Sequence, residues 1–134
     1  MPFMVRVLFQ IASHYPVNRR KIRLAVSQSL AGLVKRNAEV SVSVVGSRRM
    51  KELNSRYRNR DYATDVLSFP LNETSDPGKP FVMVPDNILR LGDIVVCYPQ
   101  AVEEARKSNR LVDDVINELV LHGLNHLMGI HHEE

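Results

Sequence analysis

The chain has 134 residues, 44% of them hydrophobic and 25% charged, the size and balance of one globular domain that buries about two-thirds of its unfolded surface. No apolar run approaches the roughly 18 residues of a membrane span. Met1 to Gln10 lacks the basic segment and cleavage site of a signal peptide, and a single cysteine, Cys97, excludes an internal disulfide. The expectation is therefore one cytoplasmic domain over residues 1–134, with no membrane partner and with Cys97 as a small buried hydrophobe. Charge is unevenly spread beneath the formal net of +3. Residues 1 to 60 hold 13 Lys and Arg against 2 Asp and Glu, and residues 61 to 134 hold 5 against 13. A basic N-terminal half points to a polyanion, with nucleic acid the first candidate and a solvated helix face the alternative.

In chain order, "MVRVLFQIA" alternates and carries β-branched residues, as a first strand does. Residues 18 to 36 place Ile22, Ala25, Val26, Leu30 and Leu33 on one helical face, with Asn37 closing the helix. Arg19, Arg20, Lys21 and Arg23 crowd its start, where the helix dipole disfavours positive charge. "VSVSVV", 40 to 45, is a strand, and Ser47 is placed to cap a short helix, "RRMKELNSRYR". "TDVLSFP", 64 to 70, reads as a short buried strand stopped by Pro70. "LNETSDPGKP" reads as an exposed, mobile loop. "FVMV" is predicted to pair as a hairpin with "LGDIVVCY", 91 to 98. Pro99 opens a helix over 99 to 109. The last helix is predicted from 111 to 128, with Gly129 as its stop. The order implies an α/β fold: a small mixed sheet packed with helices.

"HGLNHLMGIHH", 122 to 132, closes the chain. Histidines four apart project from one helix face about 6 Å apart along the axis, close enough to converge on one ion. If Gly129 ends the helix, the following turn can swing His132 back as a third ligand. His122, His126 and His132 then form a metal site with an open fourth position, on the C-terminal helix and the turn after it. Imidazole donors without soft ligands suit zinc, with nickel or another divalent ion as alternatives. The spacing H-x-x-x-H-x-x-G-x-x-H is that of extended zinc peptidases, but Gly123 stands where their general-base glutamate belongs. That glycine removes the peptidase reading and leaves the metal reading intact. His131 is expected to face solvent or to support a ligand.

Taken together, these residues resemble the YbeY-type endoribonucleases. The tail motif H-G-x-L-H-L-x-G-x-D-H is matched by His122, Gly123, His126, Leu127, Gly129 and His132. Asn125 and His131 replace its leucine and aspartate. A second signature is matched by Tyr57, Arg58, Asp61 and "TDVLSFP", and a third by "LGDI", 91 to 94. The family pattern usually continues beyond the tail motif, so an end at Glu134 is expected to hold the metal-bearing turn less well.

The resemblance implies a metal-dependent, single-strand-specific endoribonuclease acting in small-subunit rRNA 3′-end maturation and ribosome quality control. One divalent ion on His122, His126 and His132 is the implied cofactor, and Arg58 is the implied catalytic residue, gripping the scissile phosphate through its planar fork. Gly123 is read as leaving room for a nucleotide beside the ion. Asp65, Ser68 and Asp93 either line the cleft or tie down loops. Arg19, Arg20, Lys21, Arg48, Arg49 and Lys51 are the candidates for tracking RNA phosphates. With aromatics at only 6%, phosphate contacts should outweigh base stacking. The alternative is a metal-containing rRNA assembly factor with little nuclease activity, engaging a small-subunit ribosomal protein or a ribosome-assembly GTPase.

Overall fold

A computed structural model describes residues 3–12, 14–71 and 88–132, with side chains as far as residue 129. Its elements are β1 (Val5–Ile11), α1 (Arg19–Leu30), β2 (Ala38–Val45), α2 (Ser47–Arg58), β3 (Val66–Pro70), β4 (Leu89–Cys97), α3 (Tyr98–Ser108) and α4 (Val112–His132). The four strands form one mixed sheet in the order β1-β2-β4-β3. β1, β2 and β4 are parallel, and β3 is added antiparallel at the β4 edge. The predicted hairpin partner of β4, "FVMV", and most of "LNETSDPGKP" lie outside the described residues. β3 is the antiparallel partner observed.

Two cores lie against the sheet. The larger joins Val40, Val42 and Val44 of β2 and Ile94 and Val96 of β4 to α1, α3 and α4. The smaller joins Leu67, Phe69, Val95 and Cys97 to Met50 of α2, on the opposite face. Strict alternation in β2 follows: Val40, Val42 and Val44 are buried under α1 and α4, while Ser41 and Ser43 face the α2 side. In β4 the pairing with β2 slips by one residue, so that Arg90 lies opposite Glu39 but Gly92 opposite Val40. Gly92 has φ +139, and a Cβ there would meet the Phe69 carbonyl oxygen at 2.2 Å. Only glycine fits this bulge.

The boundaries depart from expectation in three places. α1 ends at Leu30, six residues early, because Ala31 leaves the helical region and Gly32 takes φ +80. Leu33 is consequently exposed. Asn37, expected to close that helix, instead clips two strands: its side chain accepts from the Met4 N–H at 2.9 Å and its carbonyl from the Leu89 N–H at 2.8 Å. Ser47 is the first residue of α2, with Gly46 as its N-cap and no side-chain capping bond. Finally, α4 does not stop at Gly129 but runs on to His132. A glycine inside a helix costs only about 1 kcal/mol, and the buried face of α4 continues through Leu124, Leu127 and Met128.

Candidate active site

The end of α2 is shaped by Asn54, which is buried in a surface otherwise built of charged residues. Its side-chain amide donates to the Tyr62 carbonyl at 2.9 Å, and its own carbonyl accepts from the Asn59 and Arg60 N–H groups. Asn59 takes the left-handed conformation, φ 57, that reverses the chain. These bonds fix the connection from α2 to β3 and so the direction in which Arg58 leaves its helix.

Arg58 then lies across the outer edge of β3, the last strand of the sheet among the described residues. One guanidinium nitrogen donates to the Ser68 carbonyl at 3.0 Å and another to the Tyr57 carbonyl at 3.2 Å. The guanidinium also stands 5.1 Å from the centroid of Phe69, whose ring meets that of Tyr57 edge-on at 5.2 Å. Because the Cys97 N–H bonds to the Asp65 carbonyl, alternation turns the backbone groups of Ser68 away from β4 and toward that edge. The edge strand thus presents to Arg58 the carbonyl that holds it.

Across β3 from α2, α4 brings His122 and His126 to the same edge. Both are exposed, one helical turn apart. With Arg58, Asp65, Val66, Leu67, Ser68 and Gly123 they line one cleft of about 250 Å³. Asp65 and Ser68, for which sequence left two roles open, therefore both line it. Asp93 does not: it lies on the far face of the sheet, opposite Ser41. Gly123 has a packing role as well. It is buried, and a Cβ there would stand 2.8 Å from Cγ2 of Ile94. The glycine allows α4 to pack closely on β4 while it also lines the cleft.

The structure brings together Arg58, His122 and His126. The predicted turn after Gly129 is helical instead, so that the backbone of His132 lies about 9 Å along the axis beyond that of His126. The side chains of His131 and His132 lie outside the described residues. Among the described residues, no group of three or more His, Cys, Asp or Glu could hold a metal. Among the described residues the cleft holds two imidazole donors, both from one helix face.

The six basic candidates divide between the two faces of the sheet. Arg19, Arg20 and Lys21 belong to α1, which packs on β1 and α4, and Arg48, Arg49 and Lys51 to α2. Lys21 is tied to Asp114 of α4, which holds its pKa above the ordinary lysine value. Arg49 pairs with Glu52 and Lys51 with Asp61. Arg19 and Arg23 stand over the Phe9 ring at 6.0 and 5.2 Å. Among the described residues no helix is long and apolar enough to cross a membrane.

Comparison with known proteins places these features in one lineage. A family model described as Endoribonuclease YbeY matches residues 11–134. Proteins named Endoribonuclease YbeY include one from Anaeromyxobacter sp. (strain Fw109-5), 37% identical over 92% of this chain and 61% of its own length. Another, from Chromobacterium violaceum, is 39% identical over 84% of this chain and 62% of its own length. The protein from Aquifex aeolicus is 33% identical, covering 96% of this chain and 79% of itself. The chain thus spans about three-fifths of several of these relatives. The solution structure of TM1509 from Thermotoga maritima superposes with a TM-score of 0.59 at 27% identity, over 92% of this chain and 71% of that one. On the family match and these identities, the chain belongs to the endoribonuclease YbeY family.

Proposed function

We propose that this chain is a metal-dependent endoribonuclease that cleaves single-stranded RNA. Its substrate is an rRNA precursor matured at the small-subunit 3′ end, and its setting is cytoplasmic ribosome quality control. A small-subunit ribosomal protein and a ribosome-assembly GTPase are the proposed partners. One observation carries the reading: Arg58, His122 and His126 converge on one cleft from two elements on opposite faces of the sheet. A cleft of about 250 Å³ suits a sugar–phosphate unit of a flexible strand and not a duplex.

The donor set fits a borderline divalent ion such as zinc, with nickel or another divalent ion as alternatives. His122 and His126 would hold it, with His132 as the proposed third ligand. When bound, such an ion supplies Lewis acidity and a water ionised near neutral pH. The chain's own contribution is positioning. Arg58, anchored by the Ser68 carbonyl and the Phe69 ring, presents a permanent charge of planar geometry to a phosphate and to charge developing on it. Its anchors hold that orientation before substrate arrives, which lowers the reorganisation needed in the transition state. Arg19, Arg20 and Arg48 would track neighbouring phosphates. Lys21, Arg49 and Lys51 would add less, since each already pairs with a carboxylate. Affinity should fall steeply with salt.

The test is cleavage of a single-stranded RNA by the wild-type protein, His126→Ala and Arg58→Ala, each assayed for bound metal. Arg58→Ala should keep its metal and lose about 10²–10³-fold in rate, and His126→Ala should lose both. Equal trace cleavage by all three would assign the activity to a contaminant.

A further inference from the structure

The face of the sheet opposite the histidines holds a larger groove, of about 870 Å³. Cross-strand register orders its floor into rows. Leu8, Ser41, Asp93 and Phe69 lie side by side across all four strands, and Gln10, Ser43 and Val95 form the next row. Beyond them, Arg6 and Arg90 flank Glu39 at 3.6 Å each, closing one end with a charge ladder. Arg49, Leu53 and Tyr57 of α2 line the groove from above the sheet.

Asp93 is the unusual member. It is partly buried in the middle of the floor, and burial pushes its carboxyl above the ordinary value, offset in part by a hydrogen bond from Ser41. A carboxylate accepts as many as four hydrogen bonds, and one held partly out of water gains most from a ligand that brings donors. The groove walls add an exposed aromatic ring, Tyr57, and a cation at the rim, Arg49. Two adjacent N–H donors on a flat ring, linked to a phosphate, match all three features. Among the RNA bases guanine alone offers that pair, on N1 and N2.

The groove and the histidine cleft are one strand apart. Ser68 lines the cleft and Phe69, the next residue, lines the groove. Arg58 touches both, through the Ser68 carbonyl and the Phe69 ring. A flexible strand crossing the β3 edge would therefore place one phosphate at Arg58 and a neighbouring base over Asp93.

We propose that the open-face groove is a base subsite for a guanine of the single-stranded RNA, read by Asp93 with Ser41 and Ser43. This rests on the RNA-cleaving reading above and adds to it the base next to the scission point.

The experiment is a titration of the ¹⁵N-labelled protein with GMP, IMP and AMP, followed through the backbone amides. GMP should shift Ser41, Ser43 and Asp93. IMP, which lacks the 2-amino donor, should bind about 10–100-fold more weakly, the worth of one hydrogen bond to a charged group. Asp93→Asn should erase the preference while leaving the amides of His122 and His126 unmoved. An oligonucleotide with one guanine in an adenine tract should shift the same amides, and wild-type cleavage should fall at a fixed distance from that guanine. Equal response to the three nucleotides overturns the proposal. So does response to GMP but not to the oligonucleotide, which would mark a free-nucleotide site. Response to methylguanidinium alone would make this a pocket for a protein arginine and overturn it equally. The titration reads the groove whether or not RNA is cut, so its failure is distinct from absence of nuclease activity.

Discussion

Gly123→Ala sets two effects of opposite sign against each other. Alanine in a helix interior is favoured over glycine by about 1 kcal/mol, so helix propensity alone predicts a more stable protein. The new Cβ, however, would stand 2.8 Å from Cγ2 and 3.3 Å from Cγ1 of Ile94. Ile94 is fully buried in the larger core, and a β-branched side chain on a strand has little freedom to turn away. Overpacking of this kind costs about 1–3 kcal/mol, so the net effect is a loss of up to about 2 kcal/mol. Urea unfolding followed by circular dichroism reads it directly as a lower midpoint at unchanged slope. The contact is isolated by a double-mutant cycle. Ile94→Ala alone should cost about 2–5 kcal/mol through its cavity. In that background Gly123→Ala should reverse sign and stabilise by about 1 kcal/mol, because both methyl-bearing branches are gone. A stabilising Gly123→Ala in the wild-type protein would refute the close approach of α4 to β4.

Gly129→Ala should behave oppositely, since among the described residues nothing outside its own helix lies within 4 Å of the added Cβ. Because α4 continues to His132, the change should stabilise by up to about 1 kcal/mol, and a destabilisation in thermal melts would show that the helix ends at Gly129 after all. Gly92→Ala combines a positive φ with a 2.2 Å approach to backbone and should cost at least about 3 kcal/mol; near-wild-type yield and melting would contradict the bulge. Asp93→Asn should raise stability at pH 7 but not at pH 3. The folded carboxyl titrates above its ordinary 3.8, so stability is lost as pH rises from there through the raised value. Paired urea titrations at the two pH values check the sign, and equal differences at both would remove the desolvation account.

Much of the fold was legible because its signals are local. "VSVSVV" announces a strand with one buried face, and Pro99 opens a helix where such a residue belongs. "TDVLSFP" reads as a short strand, and that strand lines the cleft. What failed were signals whose meaning depends on distant partners. Leu33 continues the periodicity of α1, yet Gly32 had already broken it, and the break lay in one residue against several. Gly129 carries a stop signal, yet α4 runs through it to His132. Gly123 could be seen to lack a glutamate, but its reason, Ile94, lies 29 residues upstream on another element. Asn54, in a run of charged helix residues, gives no local sign that it is the buried anchor of the turn after Arg58.

The one-residue slip at Gly92 has a consequence for how the two faces of the molecule are tied together. A strand's side chains alternate, so a single extra residue reverses the parity of everything after it. Upstream of the bulge, Arg90 shares the open face with Glu39. Downstream, Asp93 has moved to that face and Ile94 to the other, beneath Gly123. Without the slip, the carboxylate would point into the hydrocarbon under α4 and the isoleucine would stand in the groove. A deletion at Leu91 would thus exchange the two floors at once, so neither face can be altered in length without the other. The motif "LGDI" is in this sense a setting of phase, with its glycine as the point where the count is changed.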